Sequence, residues 1–115
     1  MNRYLIATSV ALGLGLAWAG SASADDTERG KEVYAEQKCK LCHSIAGEGN
    51  KKGSLDDVGS RVSAEDMKAW HRDPAAMTQK AGAERKPQMK KYPPEKLSDE
   101  DLDALVAYLL TLKAG

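Results

Sequence analysis

The tightest constraint in this chain is local. Cys39-Lys40-Leu41-Cys42-His43 sets its two cysteines three residues apart and puts one of its two histidines directly after them. In an exported protein, two cysteines ordinarily suggest a disulfide. This spacing instead lets one helical turn carry two thiols on one edge, while the next residue turns an imidazole to one side. Two vinyl groups on a porphyrin edge and its central iron need that arrangement, so the pattern C-x-x-C-H points to attachment of a c-type haem. One covalent haem c is expected, with thioethers from Cys39 and Cys42 and His43 as an iron ligand. Two other chemistries use closely spaced cysteines. A thioredoxin-like redox pair needs a strand–helix context, and no strand-like run precedes Cys39. Zinc normally takes four ligands, and only His71 remains as a nitrogen donor outside the motif.

Residues 1–24 stand apart from the rest. Arg3 precedes an apolar stretch from Tyr4 to Gly20, and Ala22-Ser23-Ala24 forms a small-residue site followed at once by Asp25 and Asp26. This is the layout of a cleaved secretory signal peptide, which predicts a periplasmic protein with one domain over residues 25–115. A spanning helix needs about 20 apolar residues, so no stable membrane insertion is expected, and a leader without Cys argues against a lipid anchor. Removing it takes one of the 17 basic residues, Arg3, and none of the 17 acids, leaving one net negative charge. That balance does not point to nucleic acid. The remaining domain has no Phe, and Trp70 is its one tryptophan. A core of this size is marginal by itself. A large flat apolar haem would fill it and stabilise the state that binds it.

Periodicity predicts an all-α fold. Thr27 to Cys39 forms a helix with Gly30, Val33, Tyr34 and Gln37 on one face, ending in the cysteine turn. Ser44 to Ser60, with four glycines, is expected as loop without a β-hairpin signal. Ser63 caps a second helix carrying Met67 and Trp70, and Asp73-Pro74 starts a third that runs through Met77 and stops near Gly82. Glu84 to Pro94 is irregular. Ser98-Asp99-Glu100-Asp101 opens the last helix, with acids suited to its N-terminal dipole. Leu102, Leu105, Val106, Leu109 and Leu112 form its apolar stripe.

A second axial ligand decides between electron transfer and ligand chemistry at the iron. The candidates are Met67, Met77, Met89 and His71. Met67 and Met77 lie on helices and are expected to pack. His71, between Trp70 and Arg72, is expected to face solvent. Met89 lies in the proline-flanked stretch Lys86-Pro87-Gln88-Met89, and a stiffened loop can carry its thioether across the open face of a haem. Met89 is therefore the expected second ligand. A Met/His pair raises the reduction potential and closes the iron to small molecules.

From Thr27 to Leu112 the chain resembles the class I bacterial monohaem cytochromes c. The resemblance rests on a helix ending in Cys39-Lys40-Leu41-Cys42-His43, a helix with a Trp, a methionine loop and the close match of Leu97 to Lys113. It implies a cytochrome c fold of three to five short helices wrapped around one covalent haem. It implies thioethers at Cys39 and Cys42, with His43 proximal and Met89 distal. Gly30 and Tyr34 would cross Leu105 and Tyr108 where the terminal helices pack, and Trp70 and Arg61 would contact a haem propionate. It places the backbone acceptor for the second N–H of His43 within Lys52-Gly53-Ser54-Leu55, where Ser54 replaces a frequent proline. Lys90 likewise follows Met89 where many relatives have proline.

Charge is uneven along the chain. Lys38–Lys52 and Glu84–Lys91 each carry four basic residues against one acid, whereas Glu95–Asp103 carries five acids against one lysine. The basic stretches flank the attachment turn and Met89. Redox donor and acceptor proteins with acidic docking surfaces are the partners expected, steered electrostatically to a small transient interface. The leading expectation is a monomeric, non-enzymatic single-electron shuttle of the periplasm. Its alternatives are a haem-bearing subunit of a larger redox enzyme, for example in inorganic sulfur oxidation, and a ligand-binding haem protein with an open sixth site.

Overall fold

The computed structural model describes residues 24–114. The predicted leader lies outside the described residues except for Ala24. The described chain contains five α-helices: α1 (Ala24–Glu36), α2 (Val58–Arg61), α3 (Ala64–Arg72), α4 (Pro74–Ala81) and α5 (Asp99–Leu110). The all-α expectation holds, and each expected cap forms. Ser63 Oγ accepts from the Asp66 N–H at 3.1 Å and Ser98 Oγ from the Asp101 N–H at 3.1 Å. The Asp73 carboxylate accepts from the Ala76 N–H at 3.3 Å with Pro74 in the first turn, and Gly82 closes α4 at φ 61°.

The core is built where α1 and α5 cross. Val33 on α1 and Leu102, Leu105, Val106 and Leu109 on α5 are buried there with Leu97 and Met67. Helices approach this closely because Gly30 has no side chain. A Cβ there would run into the Ala104 carbonyl and Tyr108 Cβ. Tyr34 and Tyr108 meet edge-on with ring centroids 6.2 Å apart, a favoured aromatic geometry. At the other end of the contact Arg29 makes a two-pronged pair with Asp101, at 3.0 and 2.9 Å.

Two local expectations are corrected. Helix α1 stops at Glu36, before the cysteines, because Lys38 takes a left-handed conformation at φ 56°. The attachment turn is a separate 3₁₀ turn at Cys39–Leu41, closed by the N–H groups of Cys42 and His43 on the Cys39 carbonyl at 3.1 and 2.9 Å. The stretch expected as plain loop holds a small antiparallel hairpin, β1 (Ser44–Ile45) with β2 (Glu48–Gly49), followed by the single turn of α2. Its two-residue turn has φ 52° at Ala46 and φ 82° at Gly47. Both central residues are left-handed, as the right-handed twist of a tight hairpin prefers. Alanine is a poor residue for that position, and the Asp56 carboxylate holds it by accepting the Ala46 N–H at 2.7 Å. No helix among the described residues is long and apolar enough to cross a membrane.

Candidate functional site

A hollow of about 630 Å³ opens between the attachment turn, α3, α5 and the segment after α4. This is within the ~300–1,000 Å³ of small-molecule and cofactor sites. Its lining is mostly apolar. Cys39, Cys42, His43 and Met89 all contribute to its wall, so the four residues singled out by sequence, 50 positions apart at the extremes, come together around one space.

The attachment turn sets His43. Its Nδ1 lies 3.0 Å from the Gly53 carbonyl oxygen. A carbonyl only accepts, so this bond places the proton on Nδ1 and leaves the Nε2 lone pair free. The acceptor expected somewhere in Lys52–Leu55 is thus Gly53. Glycine is required there, because a Cβ would strike the Cys42 carbonyl and the Arg85 guanidinium. Burial holds the His43 pKa below its ordinary value, the bond to Gly53 opposes this, and the nearby Arg85 charge adds to the lowering. The imidazole is therefore a neutral nitrogen donor. Burial pushes the Cys39 thiol up to about 11, so it rests protonated, and Cys42 beside it is exposed.

Met89 is half-buried and packs against the core while lining the hollow. Met67 is buried in the core, 3% exposed, and Met77 is buried on α4. Trp70 and Arg61 also line the space. The expectation for His71 fails: it is only 7% exposed and lies on the same wall. The buried face of α3 runs through Met67 and His71, four residues apart, and not through Met67 and Trp70. His71 Nδ1 lies 2.7 Å from the Met67 carbonyl, and the ring sits 5.7 Å from that of Tyr92. Burial lowers its pKa, with the bond to Met67 opposing.

Sequence reasoning missed Arg72. Its Nη1 donates to the carbonyls of Tyr92 and Leu97 at 2.8 and 2.7 Å, and its Nη2 to Asp99 at 2.6 Å. One guanidinium thus joins α3 to the chain on both sides of the prolines before α5. Tyr92 also donates its N–H to the His71 carbonyl at 2.8 Å. No local pattern announces such a clamp, because two of its partners are backbone atoms 20 and 25 residues away. The hydroxyl of Tyr34 was missed as well. It is buried in the wall without a hydrogen-bond partner among the described residues, and burial pushes its pKa up to about 12. An orphaned donor is costly beside apolar groups alone and suits a bound group with polar atoms at its edge.

Two thiols, a bare imidazole nitrogen and a thioether around an apolar hollow form a donor set suited to an iron porphyrin. A small helical shell with that set defines a haem-binding electron-transfer domain. Residues 27–113 match the family model "Cytochrome c", and the chain belongs to that family, whose members carry haem c. The chain is also 32% identical to cytochrome c oxidase subunit 2 of Alkalihalophilus pseudofirmus, over 84% of this chain and 31% of the relative. It therefore spans about a third of that relative's length. No solved structure matches.

Proposed function

We propose that this chain is an exported single-electron carrier with one haem, bound covalently through Cys39 and Cys42 and ligated by His43 and Met89. The observation that carries the proposal is the His43–Gly53 bond. It presents a neutral Nε2 to the hollow that Cys39, Cys42 and Met89 share. When bound, the haem supplies one-electron redox chemistry at its iron.

The protein's own groups supply the rest. The Gly53 carbonyl orients His43 and raises its basicity as a ligand. The Met89 thioether, a soft neutral donor, would favour reduced over oxidised iron in a bound haem. The mostly apolar wall would shield a bound haem from water over much of its surface. Trp70 and Arg61, which line the hollow, would hold the propionates of a bound haem. The basic stretches at Lys38–Lys52 and Glu84–Lys91 suit an acidic redox partner. Export to the periplasm rests on the leader pattern of residues 1–24.

The deciding experiment is the visible spectrum of oxidised and reduced holoprotein. A methionine–iron charge-transfer band, with no spectral change when carbon monoxide meets the reduced form, supports the carrier. Rapid carbon monoxide binding refutes a closed iron. The match to part of an oxidase subunit favours a second assignment, as the haem-bearing part of a larger redox enzyme. Stable co-purification with a large partner supports that assignment over a free shuttle.

A further inference from the structure

His71 is a buried titratable group that the carrier proposal leaves idle. It repeats the device found at His43. Each imidazole has Nδ1 against a backbone carbonyl, at 3.0 Å to Gly53 and 2.7 Å to Met67. Each therefore keeps its proton on Nδ1 and leaves Nε2 with a free lone pair. This is the carbonyl–histidine arrangement that orients metal-ligating imidazoles. His71 Nε2 has no hydrogen-bond partner among the described residues, and its ring lines the hollow that Met89 also lines. The residue is 7% exposed overall and lies on the wall of the hollow, so a group seated in that space is within reach of its ring.

Its position is also fixed relative to the methionine segment. The His71 carbonyl accepts the Tyr92 N–H at 2.8 Å, only three residues beyond Met89, and Arg72 holds the Tyr92 carbonyl. Both side chains line the same hollow, and the tie at Tyr92 anchors the segment that carries Met89 to α3. Burial favours the neutral ring, with the bond to the Met67 carbonyl opposing.

We propose that His71 is a reserve axial ligand, taking the iron through Nε2 when the Met89 thioether leaves it. The inference rests on the haem assignment above. In the exchange one iron–sulfur bond breaks and one iron–nitrogen bond forms. No electron is gained or lost, and no proton moves, because Nδ1 keeps its proton on the Met67 carbonyl. A closed iron would then persist through loss of the methionine, at a lower potential.

The test compares oxidised holoprotein of wild type, Met89→Ala, Met89→Ala/His71→Leu and Met89→Ala/His71→Gln by visible and electron paramagnetic resonance spectroscopy. Circular dichroism verifies helix content, and the Gln variant decides if the Leu variant fails to fold. The expected result is a methionine band in wild type. In Met89→Ala that band is replaced by a low-spin signal with two nitrogen ligands, and the low-spin signal is lost when His71 is also replaced. A high-spin Met89→Ala, or a low-spin signal that survives replacement of His71, overturns the proposal and leaves the carrier assignment intact. A wild type that already carries two nitrogen ligands overturns both the reserve role and Met89 as resident ligand. Colourless protein overturns the haem assignment itself.

Discussion

Gly30→Ala tests whether the crossing of α1 and α5 is set by backbone contact. The added Cβ would lie 2.5 Å from Tyr108 Cβ and 2.9 Å from the Ala104 carbonyl carbon, against ~3.5–4.0 Å for carbons in comfortable contact. The helices must part by roughly 1 Å. The Ala104 carbonyl is backbone and cannot swing aside as a side chain would, so the cost falls at the upper end of the ~1–3 kcal/mol typical of overpacking. Alanine recovers about 1 kcal/mol by its better helix propensity. The net loss is about 2 kcal/mol, or a melting temperature lower by roughly 8–16 °C for a domain of this size. The assay is thermal unfolding of the oxidised holoprotein, followed by far-ultraviolet circular dichroism and by haem absorbance together. A variant that melts at or above the wild-type temperature refutes the reasoning, since helix propensity would then outweigh the collision.

Arg72→Met strips the Tyr92 and Leu97 carbonyls of a charged donor, and the exposed partner Asp99 adds little. A loss of about 2–4 kcal/mol is expected in urea unfolding, and an unchanged midpoint would show that water replaces the clamp. The pKa of His71 is lowered in the folded protein, so the unfolded chain binds its proton more readily. The stability this confers is present above the ordinary value of 6.5 and is lost as pH falls below it. Urea midpoints for wild type are expected to drop from pH 7.5 to pH 5.5 more steeply than those of His71→Gln, and parallel slopes would count against a buried neutral ring. Electron exchange with an acidic redox protein is expected to slow as ionic strength rises. Stopped-flow rates indifferent to salt would remove the basic stretches from docking.

The parts of the fold visible in the sequence are those set within a few residues. Ser63, Asp73 and Ser98 cap their helices because a short side-chain oxygen reaches an N–H three residues on, and the order of residue types records that. The leucines of α5 record its buried face in the same way. Cys39, Cys42, His43 and Met89 were singled out from sequence because haem chemistry restricts which residues can serve, and the structure gathers them around one hollow. The Ser44–Gly49 hairpin was hidden because its turn uses Ala46, held in place by Asp56 ten residues away, and not a residue that prefers the left-handed region. His71 was misplaced because polarity assigned it to solvent, whereas its bond within α3 satisfies one nitrogen and allows the ring inside. Arg72 reads as a surface charge until its distant carbonyl partners are brought beside it.

The double pinning of Tyr92 has a consequence for the thioether. Its N–H is held by the His71 carbonyl and its own carbonyl by Arg72, and only Lys90 and Lys91 separate it from Met89. At 3.3–3.6 Å per extended residue, those three steps form a leash of about 10 Å. While α3 stays folded, that leash confines the Met89 sulfur near the hollow at a high effective concentration. Under the proposed ligation, departure of the sulfur would be an excursion with a short return path, and the leash rather than refolding would set the rate of religation.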